Sequence, residues 1–222
     1  MKRIVFPFLL FAFCVTGQAQ NNSIGNSDPE AKKILDEVST KIKSYKAIQG
    51  TFTLRIENAQ GDPQGSKKGT VYIKGNKYRV IITGQEIFCD GKNVWTYDKS
   101  SNEVTITKYD PSMTTMTPQK LLTDFYDKDF LYKLNGEQKL GNRMVQEIEM
   151  TPVDKTKNFY KIYLYIDKAK KTVYSGKMLD KNGNRYLYTI DTMNGNVAVS
   201  DAVFVFDKSK YPGVEVVDLR EG

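Results

Sequence analysis

GTVYIKGNKYRVIITGQEIFCDGKNVWTYD, residues 69–98, is the stretch whose reading decides the fold. Side chains alternate along 69–74, 77–83, 86–89 and 94–97, and the only breaks are Gly75-Asn76, Gly84 and Asp90-Gly91. A period of two interrupted by two-residue Gly, Asn and Asp signals is the pattern of antiparallel hairpins. Reading outward, 103–108 continues the series. On the other side Phe52, Leu54 and Ile56 alternate with Thr51, Thr53, Arg55 and Glu57, before a loop with Gly61, Pro63 and Gly65. Beyond residue 128 the strands resume at 130–134, 143–151, 159–166, 172–179 and 185–192. That makes about eleven strands in one meander. A sheet of this width must curl or close. The class is mainly β (α+β): a strongly curved antiparallel sheet or incomplete β-barrel, with helices in its concave mouth.

Two segments do not alternate. Asp28-Pro29-Glu30 reads as a helix start, and Ile34, Leu35, Val38 and Ile42 then recur at helical spacing to about Ser44. Residues 111–128 are apolar without strand alternation. A helix starting near Thr117-Pro118 would carry Leu121, Leu122 and Phe125, with Met116 before it, as a lid over the sheet.

The chain has 222 residues, no histidine and two cysteines. Without histidine there is no Ser-His-Asp or Cys-His nucleophile pair and no HExxH zinc site. Lys2 and Arg3, the apolar residues 4–15 and Gly17-Gln18-Ala19 form a secretory signal over 1–19, which leaves 20–222 as a single exported domain. Phe13 stands before Cys14, where a lipidation site needs a small residue. The net charge of +7, of which Lys2 and Arg3 carry two, suits an anionic surface or an acidic partner. Export and the absence of a dense basic cluster argue against nucleic acid. Cys89, alone in the exported part, cannot form an intramolecular disulfide and reads as a small core residue.

Other candidates for chemistry have plainer readings. Glu147 and Glu149 lie two apart on one strand, about 7 Å, a spacing compatible with an inverting glycosidase pair. Met144, Ile148 and Met150 alternate with them, so the glutamates mark the solvated face. Asp90 and Asp98 sit where hairpin turns need Asp. Asp180-Lys-Asn-Gly-Asn184 lacks the later ligands of a calcium loop. No metal site, cofactor motif or catalytic constellation emerges, and the chain does not read as an enzyme. Tyr160, Tyr163, Tyr165, Tyr174, Tyr186 and Tyr188 crowd three successive strands that are apolar on both faces. Alternation assigns an apolar cavity lining to Phe52, Leu54, Ile56, Val71, Ile73, Val80, Trp95, Met144, Ile148 and Met150, covered by Met116, Leu121, Leu122 and Phe125. A one-residue slip would exchange the faces.

The segment 69–79, followed by Cys89-Asp-Gly-Lys-Asn-Val-Trp-Thr-Tyr-Asp98, resembles the periplasmic lipoprotein carrier (LolA-like) family. Asp90-Gly91-Lys92, Trp95, Tyr97 and Asp98 match its hairpin motif, and Phe204-x-Phe206 with Pro212-Gly213-Val214 is similar to its ending. The resemblance implies an incomplete β-barrel lidded by helices, whose apolar interior holds the acyl chains of lipoproteins. It implies transfer across the periplasm from an inner-membrane ABC transporter complex to an outer-membrane acceptor, by a monomer without cofactors. Gly75 stands where members commonly have an arginine that helps hold the lid, and Cys89 where they have serine. The alternative within the same fold is an envelope sensor or adaptor that binds a lipid or a membrane regulator.

Overall fold

The structure, a computed structural model, describes residues 27–110 and 126–220. The signal segment 1–19 and the lid residues Met116, Leu121, Leu122 and Phe125 lie outside the described residues. The first element is helix α1 (Pro29–Lys43). Asp28 caps it by accepting from Glu30 N at 2.8 Å, and Pro29 at the first position needs no N–H partner. Ala31, Ile34, Leu35, Val38 and Ile42 form its buried stripe, while Lys32 pairs with Asp36 one turn on at 3.0 Å.

The strands are β1 (Ile48–Glu57), β2 (Pro63–Lys74), β3 (Lys77–Ile82), β4 (Gln85–Cys89), β5 (Asn93–Asp98) and β6 (Glu103–Lys108). A single helical turn, α2 (Tyr126–Asp129), leads into β7 (Phe130–Leu140). Then follow β8 (Arg143–Pro152), β9 (Phe159–Asp167), β10 (Thr172–Asp180), β11 (Arg185–Gly195) and β12 (Glu215–Asp218). They form one curved open sheet in the order β12-β6-β5-β4-β3-β2-β1-β11-β10-β9-β8-β7.

This topology corrects the single meander. There are two meanders, β1 to β6 and β7 to β11, and the first and last of these strands pair along a central seam with partners such as Thr53↔Thr189. Nothing local in the sequence marks that pairing. The twelfth strand lies parallel to β6, which a meander does not provide. β2 starts at Pro63, inside the stretch assigned to a loop, because its first half pairs with β1 alone. Hairpin chemistry is as expected. Asp90 Oδ1 accepts from Lys92 N at 2.8 Å and Asn93 N at 2.7 Å. Asp180 Oδ1 likewise accepts from Asn182 N and Asn184 N at 2.9 and 2.7 Å, so this carboxylate serves its own turn.

The core lies between α1 and one face of the sheet. The helix stripe clusters with Ile48, Ile73, Tyr78, Val80 and Cys89 from one meander, and with Ile148, Met150, Ile162, Leu164 and Ile166 from the other. The opposite face of the first meander carries a second apolar layer. Residues 201–214 fold back over it, with Phe204 fully buried and Phe206 edge-on to Phe88 at 5.7 Å and stacked on Tyr211 at 4.5 Å. Asp201 anchors this strap between Lys74 (2.8 Å) and Lys77 (2.7 Å), and that pair holds its carboxyl down at about 2. Two covered faces are why β4 buries both Phe88 and Cys89, neighbours in sequence that point to opposite sides.

Candidate functional site

Register determines which side chains share the helix-bearing face. Across the sheet, Ile82, Gly69, Phe52 and Ile190 form one row, and Leu54 and Tyr188 lie in the next. Ile56, Tyr186, Met178, Ile162, Met150 and Tyr132 form a third. The rows separate into two regions. Ile48, Ile73, Tyr78 and Val80 are under a tenth exposed beneath α1, and Ile148 and Met150 are fully buried. Phe52, Leu54, Ile56, Ile82, Ile87, Met178, Tyr186, Tyr188 and Ile190 are only half-buried. An apolar floor thus continues beyond the part of the sheet that α1 seals. Half-exposed apolar residues adjoining on one face mark an interaction site more than scattered ones do.

The floor ends at a polar rim. Lys67, Gln85 and Asp98 share its face through the pairs Leu54↔Lys67, Ile82↔Gln85 and Gln85↔Asp98. Asp98 accepts from the Ser100 hydroxyl and, at 2.7 Å, from Ser100 N, which keep its carboxyl below the ordinary range. Burial and the neighbouring Tyr186 push the Tyr188 phenol up, so it stays neutral at physiological pH.

Nearly all of the residues expected to line a cavity lie on this face. Phe52, Leu54, Ile56 and Val71 are half-buried, whereas Ile73, Val80, Ile148 and Met150 are core beneath α1. Met144 is 48% exposed at a strand end. Trp95 is the exception and a correction. The pairs Phe88↔Trp95 and Trp95↔Ile106 place it on the opposite face, beside the strap, while Val94 faces the helix with Cys89. Both Val94 and Trp95 are apolar, so alternation could not choose between them. Ile82, Ile87, Met178, Tyr186, Tyr188 and Ile190 were missing from that set. The spacing of Tyr186, Tyr188 and Ile190 was visible in the sequence, but only the seam between β1 and β11 sets them beside Phe52 and Leu54.

The opposite face of the second meander mixes Glu147 and Glu149 with Tyr165 and Tyr163, their partners on β9. Glu147 accepts from Asn135 at 2.9 Å and Gln138 at 2.6 Å, and Glu149 pairs with Lys161, which lowers its carboxyl pKa. Both glutamates point away from the floor, and Glu149 is held ionised by its Lys161 partner, which leaves them on the solvated face. Among the described residues no cluster of acidic or cysteine side chains could hold a metal. Cys89 is fully buried, with Gly91 N donating to its sulfur at 3.4 Å. Burial pushes its thiol up, which suits a structural role.

A family model described as "Outer membrane lipoprotein carrier protein LolA" matches residues 43–207. An outer-membrane lipoprotein carrier protein of Cupriavidus necator is 27% identical over 184 residues, covering 79% of this chain and 84% of its own. One from Histophilus somni is 25% identical over 202 residues, covering 89% and 94%. Among solved structures, an uncharacterized conserved protein from Thermus thermophilus shares the fold. Its TM-score is 0.59 at 17% identity, over 85% of this chain and 99% of that one. The open twelve-stranded sheet, its helix-bearing apolar face and these matches agree that the chain belongs to the LolA family of outer membrane lipoprotein carrier proteins.

Proposed function

We propose that this protein is a periplasmic carrier that shields the acyl chains of lipoproteins and moves them from the inner to the outer membrane. The observation that carries the reading is the half-buried apolar floor around Leu54, Ile56 and Tyr188, next to a core that is otherwise sealed. Membership of a carrier family supports it. Residues 1–19 act as the export signal and 20–222 as the carrier domain. Met116, Leu121, Leu122 and Phe125 serve as the cover. The donor is an inner-membrane ABC transporter complex, the acceptor lies in the outer membrane, and the protein works as a monomer without a cofactor.

The work is sequestration, and no bond is made or broken. Burying an acyl chain gains about 0.8 kcal/mol per methylene over water, so the cargo leaves only for a surface at least as apolar. Capture from donor membranes tests the reading: purified protein should retain acylated protein or lipid, seen by native mass spectrometry without detergent. Leu54→Glu, which puts a charge on the floor, should abolish retention while leaving the fold intact. Retention of nothing acylated by the wild-type protein would overturn the reading, and recovery of one membrane regulator without lipid would favour the adaptor alternative.

A further inference from the structure

We infer that Phe52, seated on Gly69, is the stop that limits how far an acyl chain can enter the floor, and therefore sets chain-length preference. The inference rests on the carrier reading and deepens it.

Phe52 and Gly69 are register partners on β1 and β2. The phenyl ring lies over the glycine so closely that a Cβ built there would clash with Phe52 Cζ, meeting Cε1 at 2.7 Å and the Ile81 carbonyl oxygen at 2.8 Å. Gly69 has an ordinary backbone conformation, so the requirement is for space and not for a positive φ. The ring fills the place of the missing side chain and stands across the face at a boundary. On one side along the strands are half-buried Leu54 and Ile56, and on the other are Val71 and the sealed residues Ile48 and Ile73.

From Ile56 to Phe52 the floor runs four residues along β1, about 13 Å. Beyond Ile56 the floor opens to solvent, where Pro63, Gln64 and Gly65 are exposed and Lys67 is the nearest cation, so a chain whose polar end stays outside meets the ring with its terminal methyl. Behind the ring the face is packed: Gly50 is buried, and a Cβ there would meet Val71 Cγ1 at 3.5 Å and Thr192 O at 3.0 Å. Removing the ring frees the space over Gly69 that it fills, about 7 Å along the strands as far as Val71.

The test is a series of saturated fatty acids, from octanoate to stearate, competing with a fluorescent apolar probe for the purified protein. With the wild-type protein, affinity should rise about fourfold per methylene, the equivalent of about 0.8 kcal/mol, and then level off. Phe52→Ala should move the plateau to longer chains. Phe52→Leu should move it part of the way, and it keeps the test open should the alanine variant not fold. An unmoved plateau in folded Phe52 variants overturns the inference and leaves the carrier reading standing. Failure of the wild-type protein to bind any member overturns both.

Discussion

The Asp28 carboxylate joins α1 to the sheet edge: one oxygen caps the helix and the other accepts from Leu134 N on β7 at 3.0 Å. The Asp28 N–H also donates to Tyr132 O at 3.0 Å, so this residue occupies part of the edge strand's open bonding row. The Leu134 bond is the main reason the carboxyl titrates below its ordinary 3.8. Asp28→Ala should cost about 1 to 2 kcal/mol, as lost caps do, measured by urea denaturation. Because the folded pKa is the lower one, the contribution is present above 3.8 and is lost as pH falls through the depressed value. The difference between wild type and Asp28→Asn should shrink accordingly on acidification.

Strap residues should divide sharply by burial. Phe204 has no exposed surface and Val205, its neighbour, is 42% exposed. Phe204→Ala should destabilise the protein by about 3 to 5 kcal/mol, whereas Val205→Ala should stay within about 0.5 kcal/mol. Equal effects of the two substitutions in denaturant unfolding would contradict the assignment of Phe204 to the second apolar layer.

Asp201 anchors the strap through exposed ion pairs, which salt screens. Asp201→Asn should therefore speed hydrogen exchange in residues 201–214 at low salt, with little change in global stability, and the difference should fade as salt is added. Since the carboxyl titrates at about 2, its folded value lies below the ordinary 3.8. The tether should hold from neutral pH down to mild acid and fail only in strong acid.

Cys89 should react with thiol reagents only when the protein unfolds, since it is fully buried and its thiol is pushed up by that burial. Cys89→Ser keeps an acceptor for Gly91 N and a donor for Asn76 O. Cys89→Val removes both, and should cost about 1 to 3 kcal/mol more than the serine variant. Denaturation midpoints of the two variants check this.

The hairpins were legible because each is written within about ten residues: Asp90-Gly91 fixes the β4–β5 register through bonds to its own turn. The helix was legible from Asp28-Pro29 and its apolar stripe. Long-range facts were not. The β1–β11 seam and the parallel placement of β12 on β6 depend on contacts between distant segments that carry no local signature. The same holds for the site. Phe52, Leu54 and Ile56 could be put on a common face from alternation, but Trp95 could not, since its strand is apolar on both sides. Nor could the sequence separate Ile148 and Met150, sealed by α1, from Leu54 and Ile56, which are not.

The central seam also constrains how the chain can fold. Thr51 and Thr192, whose hydroxyls meet at 2.7 Å, stand 141 positions apart. Loop-closure entropy must be spent before so remote a pairing returns any stabilisation, and topologies of this kind fold slowly. During synthesis the first meander emerges well before β11 does, with one edge of β1 unpaired and its apolar face bare. For that interval the nascent chain exposes the apolar face that α1 and β11 later cover, and is itself prone to aggregate.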